Sequence, residues 1–241
     1  MSLSFSQMLR AGADPIWSAQ HAHPFVRGIA DGTLAADRFA HWVRQDYRFL
    51  VEYCRLFALA AARAPDLATM TRFAELLTAT AGTEMSLHRA LAAEIGISEE
   101  ELERETMAPT TRAYTDFLVR TAATGDFAEL CAALLPCMWS FSEIGLRLGD
   151  GPRPADARLA AWIDSYSDPE FAGLARWCRM LVDDLAAQAG PRTRAAMTAA
   201  FTTSSQYELA FWEMAWSLER WPEIEAPPGP AAPAPAPPAS A

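Results

Sequence analysis

Residues 37–64 read DRFAHWVRQDYRFLVEYCRLFALAAARA. No Gly or Pro interrupts this stretch, and Trp42, Phe49, Leu50, Tyr53 and Phe57 fall on one face of a 3.6-residue helix. The same period returns in Leu67–Ile95, at Phe73, Leu76, Leu77, Leu87 and Leu91. Ser98 followed by three glutamates predicts a helix N-terminus, because the hydroxyl caps a free N–H and acids suit the positive end of the dipole. Thr110–Thr124, Phe127–Leu148, Pro169–Ala189 and Pro191–Trp221 carry further helical patterns. Pro169 and Pro191 stand where a first-turn Pro is tolerated. No stretch alternates as a strand does. The sequence therefore predicts an all-α, single-domain bundle of about eight helices over residues 1–222.

Residues 223–241 are of another kind. From Ala226 the chain runs APPGPAAPAPAPPASA, holding seven of the 17 prolines, and predicts an extended tail with no buried face. Of the 241 residues 51% are hydrophobic, enough for a substantial core. The net charge is −10, and all 20 basic residues are Arg. That balance argues against a nucleic-acid partner, which calls for a basic surface. The strongly apolar run Leu130–Ser142 is shorter than the ~20 residues that span a bilayer, so no membrane partner is expected. The first residues, MSLSFSQMLRAG, have no apolar signal core. Cys54, Cys131, Cys137 and Cys178 form no CxxC pair, which fits a cytoplasmic protein without disulfides.

Ionisable groups inside apolar stripes need a partner or a task, because burying a charge is costly. Asp46 lies on the Trp42–Tyr53 stripe, and Glu208 lies with Ser204, Ser205, Phe211 and Trp212. Cys137 lies with Leu134, Met138 and Phe141 and follows Pro136, which removes one helical hydrogen bond and can leave a carbonyl free. Glu84 and His88 stand four apart, facing the same way as Leu87 and Leu91. Each admits a structural role: a strut between helices for Asp46 or for Glu84 with His88, a small hydrophobe for Cys137, plain core for the rings. Together they describe an interior pocket with two carboxylates, a thiol and aromatic walls, suited to a flat, protonatable heteroaromatic ligand.

Five segments carry a resemblance at this point. HPFVRGIADGTL (23–34), RFAHWVRQDYRFL (38–50), TEMSLH (83–88), LLPCMWSFSEIG (134–145) and SSQYELAFWEMAW (204–216) occur in order and at matching spacing. They resemble the TenA/thiaminase II family over nearly all of residues 5–221. The resemblance implies a haem-oxygenase-like fold, a homotetramer, and no metal, haem or other cofactor. It also implies an enzyme of thiamin salvage. Family members with this Cys hydrolyse aminopyrimidines to the hydroxymethylpyrimidine and ammonia, and many cleave thiamin slowly.

Carried over by position, the nucleophile falls on Cys137, with carboxylates at Asp46 and Glu208 and pocket rings at Tyr114 and Tyr166. Phe49 and Phe141 stand where the family often has Tyr, so a stacking surface remains and a hydroxyl is lost. These residue types suit the chemistry. A thiolate added to the ring lets the ring expel the amine, splitting one hard step into easier ones. A buried carboxylate with a raised pKa can move the protons. Glu208 is expected in that role and Asp46 on the ring, although the sequence leaves the division between them open. Three other readings stay on the table. One is a family member acting on another amine or pyrimidine. One is a non-enzymatic regulator, for which no helix-turn-helix signal is seen. The last is a haem or di-iron protein, for which four His and a Glu–His spacing of four fit poorly.

Overall fold

A computed structural model describes residues 3–223, and the predicted Pro-Ala tail falls almost wholly outside them. Among the described residues there are twelve α-helices and no strand. Three short ones open the chain: α1 (Phe5–Gly12), α2 (Asp14–Ala22) and α3 (Pro24–Asp31). Then come α4 (Ala36–Arg63), α5 (Leu67–Ala79), α6 (Met85–Glu94), α7 (Glu99–Arg104) and α8 (Pro109–Thr124). The last four are α9 (Phe127–Gly149), α10 (Ala157–Tyr166), α11 (Pro169–Gln188) and α12 (Pro191–Ser217).

The count exceeds the predicted eight for local reasons. Pro15 and Pro24 each start a new helix in the first residues, where neither has an N–H to lose. Asp156 caps α10 by accepting from the Arg158 N–H at 2.9 Å, a start that periodicity did not reveal. The single helix predicted over Leu67–Ile95 is divided by a π-helical turn at Thr80–Glu84, which contains Gly82. Such a turn inserts one residue and re-aims the side chains that follow it.

α4 runs for 28 residues because nothing in it breaks a helix, and it stops at Ala64, whose φ/ψ is extended ahead of Pro65. α9 is the axis of the core. It packs on α12, α11, α10 and α8, and most of its side chains are buried. Its 23 residues are long and apolar enough to cross a membrane, but that surface is turned inward against other helices. Glu143 on α9 fastens the N-terminal helices, accepting from Arg10 at 2.8 Å and bonding His21 at 2.9 Å. Burial alone would raise its pKa, but these two partners outweigh that and hold it near 2.

Gly145 decides how closely α10 can approach α9. A Cβ built on it would lie 2.3 Å from the backbone carbon and oxygen of Tyr166. Only the absent side chain lets the end of α10 seat there, with the Tyr166 ring 4.9 Å from Phe141 and 4.7 Å from Trp162. Gly145→Ala therefore has to push backbone apart. We expect a loss of about 1–3 kcal/mol, near 2–4 °C in Tm per kcal/mol, measured by thermal unfolding. An unchanged Tm would show that the two helices separate freely.

Candidate active site

The helices bring the predicted residues to one place. A small cavity of about 20 Å³ is lined by Asp46, Phe49, Leu50 and Tyr53 of α4, Glu84 of the π turn, Cys137, Met138 and Phe141 of α9, Tyr166 of α10 and Phe171 of α11. Five of the seven predicted site residues are on that wall. The other two, Tyr114 and Glu208, stand behind it. The Tyr114 hydroxyl donates to Glu208 Oε1 in a short hydrogen bond and lies 2.8 Å from Ser204 Oγ. Its ring packs between Phe49 and Tyr207, both at 5.1 Å.

Asp46 is 4% exposed and His88 fully buried, and Asp46 Oδ2 lies 2.6 Å from His88 Nε2. His88 Nδ1 lies 3.0 Å from the Glu84 carbonyl. A carbonyl only accepts, so Nδ1 carries a proton. Nε2 faces a carboxylate, so one further proton belongs to the Asp46–His88 pair. Burial pulls the His88 pKa down, but Asp46 and Glu84 outweigh it and the net shift is upward. The proton of the pair is thus favoured on the His88 ring, and Asp46 Oδ1 is left for the cavity. Sequence reasoning noticed His88 only beside Glu84. Its partner is 42 residues away on another helix, which no local pattern reveals.

The other groups are tuned by burial. Glu208, 2% exposed, is pushed up to about 8 by burial, further by the Asp46 charge, and back by the Tyr114 hydroxyl. Burial lifts Glu84 to about 7, with Asp46 adding and His88, Thr80 and Tyr166 opposing. Cys137 is raised well above a free thiol by burial and by the charges of Glu208, Asp46 and Glu84, with Tyr53 opposing. The thiol thus rests protonated and needs a base. Glu208, raised by burial, lies closer to the thiol in pKa than a free carboxylate does, and can act as its proton partner. The backbone near Cys137 is also held: the Tyr53 hydroxyl donates to the Leu134 carbonyl at 2.9 Å, one turn before the cysteine and just before Pro136. Among the described residues no group of three or more His, Cys, Asp or Glu could hold a metal ion.

Phe49 and Phe141 act as walls. Phe49 stacks on Tyr53 at 5.4 Å, and Phe141 lies 5.0 Å from Trp212. The cavity has room for about one water and not for an aromatic ring. An outer cleft of about 310 Å³ adjoins it, and Glu84, Met138, Tyr166 and Phe171 line both. A ring-sized ligand entering by this route needs those side chains to move.

The helical bundle has a haem-oxygenase-like fold. A domain from Shewanella denitrificans described as having that fold superimposes with a TM-score of 0.69 at 14% identity, over 88% of this chain and 91% of its own. The chain belongs to the TENA/THI-4/PQQC family, whose model matches residues 10–218. It is 42% identical to the aminopyrimidine aminohydrolase of Halalkalibacterium halodurans over 220 residues, 91% of this chain and 98% of that protein. The TenA homologue of P. horikoshii OT3 superimposes with a TM-score of 0.83 at 30% identity, over 89% of this chain and 99% of its own.

The Glu208 shift sets a pH signature. Its pKa is about 8 folded against 4.5 for the free side chain, so the folded state holds a proton the unfolded chain has lost. That contribution to stability falls as pH rises from about 4.5 to 8 and is flat above. Glu208→Gln removes it. Denaturant midpoints across this range should move in the variant's favour as pH rises, whereas parallel curves would contradict the shift.

Proposed function

We propose that the chain hydrolyses aminopyrimidines in thiamin salvage, converting 4-amino-5-aminomethyl-2-methylpyrimidine and water to the hydroxymethylpyrimidine and ammonia. One observation carries the reading. A chain 42% identical to an aminopyrimidine aminohydrolase over nearly all of that protein encloses a thiol and carboxylates among aromatic rings.

The proposed mechanism assigns each group a step. Asp46 Oδ1, oriented by His88, accepts hydrogen bonds from the ring edge and stabilises its protonated form. Glu208 in its ionised form takes the Cys137 proton. The thiolate adds to the ring, forming a C–S bond and breaking aromaticity. The ring then expels the amine, which leaves with the proton held by Glu208. Water adds to the exposed methylene and gives its proton to Glu208; the C–S bond then breaks, the ring is restored, and the thiolate takes that proton back. Tyr114 holds Glu208 and supports Phe49, while Phe49, Phe141 and Tyr166 flank the pyrimidine. Thiamin, with a far larger leaving group for so small a cavity, is proposed as the slower substrate.

A homotetramer belongs to the same proposal. It is supported by Leu67 (76% exposed) and Met180 (58% exposed), which share a cleft between α5 and α11 where a second copy would cover them. Sedimentation should give four times the 26.3 kDa chain mass, and a monomer would contradict the assembly. A cytoplasmic location is also proposed, in keeping with four free thiols.

The activity is tested by following ammonia and hydroxymethylpyrimidine from the purified chain. We expect turnover of the aminopyrimidine faster than of thiamin, and a loss of about 10³-fold or more in Cys137→Ala. Full turnover by Cys137→Ala would sink the nucleophile, and no turnover by the unaltered chain would sink the substrate.

A further inference from the structure

The junction between the small cavity and the outer cleft has a definite chemistry. Of the four residues lining both, Met138 and Phe171 are apolar, Tyr166 bears a hydroxyl, and Glu84 bears the carboxylate. The outer cleft also carries Asp168 and Glu170, and no Arg or His lines it. The small cavity holds Asp46 and Glu84 and likewise no basic side chain. A ligand passing from solvent to Cys137 therefore meets carboxylates and no cation, a path that favours positive charge.

The carboxylates along this path differ in what they already hold. Asp46 is occupied by His88 at 2.6 Å. Asp168 caps α11, accepting from the Glu170 N–H at 2.7 Å. Behind the wall, Glu208 is occupied by Tyr114. Glu84 has only a long contact from the Tyr166 hydroxyl at 3.4 Å, with Thr80 also favouring its charged form. Among the described residues it forms no salt bridge. The π turn ends on Glu84, and its added residue brings this half-buried side chain to the junction.

We propose that Glu84 is a specificity-determining residue that receives the cationic side arm of the substrate at this junction. The inference rests on the hydrolase reading above and deepens it. An aminomethyl group is an ammonium near neutral pH, and a charge-assisted hydrogen bond to Glu84 holds it beside Cys137. Turnover replaces the ammonium arm and water by a neutral hydroxymethyl arm and an ammonium ion. The product has lost the charge that Glu84 held, which favours its release into the outer cleft.

The test is a calorimetric titration in the full chain carrying Cys137→Ser, so that the amine is not consumed. The probes are 4-amino-5-aminomethyl-2-methylpyrimidine and its neutral hydroxymethyl counterpart. With Glu84 present the amine should bind more tightly. Glu84→Gln should weaken the amine about tenfold or more and the alcohol less than about twofold. Glu84→Asp, which keeps the charge on a shorter arm, should fall between. Retained alcohol affinity also shows that the variant is folded. Equal loss for both probes, or loss for neither, would overturn the role of Glu84 and leave the hydrolase reading standing. Binding of neither probe by the Cys137→Ser parent would overturn both.

Discussion

A carboxylate with 4% exposure inside a helical bundle has to be answered by a donor, and for Asp46 the donor is His88 at 2.6 Å. This contact ties α4 to α6 across the π turn, and the Glu84 carbonyl fixes the far side of the same ring. One chain of contacts thus runs from Asp46 through His88 to the turn that presents Glu84. Removing either member of a buried pair leaves the other uncompensated, a loss of about 3–5 kcal/mol. The Gln beside Asp46 serves the fold instead: Gln45 clamps the segment before α8, accepting from the Ala108 N–H at 2.8 Å and donating to the Thr106 carbonyl at 3.0 Å.

Around this pair the bundle gathers more acid than it neutralises. Glu84 near 7 and Glu208 near 8 are raised by burial, and the Asp46 charge adds to both. The same crowding keeps the Cys137 thiol protonated. An acidic, proton-rich interior is a poor place for a standing thiolate and a good place to receive a cation. A protonated heteroaromatic ring or ammonium arm would relieve the excess negative charge, and proton donors would be at hand when the amine leaves.

Much of this was legible in the sequence. The uninterrupted stripe from Trp42 to Phe57 fixed the long helix, and apolar neighbours marked Asp46, Cys137 and Glu208 as inward-facing. What stayed hidden depends on contacts between distant segments. The partnership of Asp46 with His88, and the 3.4 Å contact of Tyr166 with Glu84 across 82 positions, leave no local trace. The π turn was hidden for another reason. TAGTE does not disturb the apolar period strongly enough to be read as an inserted residue, so Glu84 was seen only as a neighbour of His88. The short helices near Pro15 and Pro24 and the capped α10 are set by end chemistry, to which a periodicity search is blind.

The protonation of His88 is the direct test of the account. Nitrogen-15 NMR of histidine-labelled protein resolves the four His side chains, and the signal lost in His88→Gln identifies the one concerned. The geometry predicts that the His88 ring loses its second proton at a midpoint above 6.5, the ordinary histidine value. A His88 midpoint below 6.5, with Nε2 bare in the folded chain, would contradict the charge pair on which the site is built.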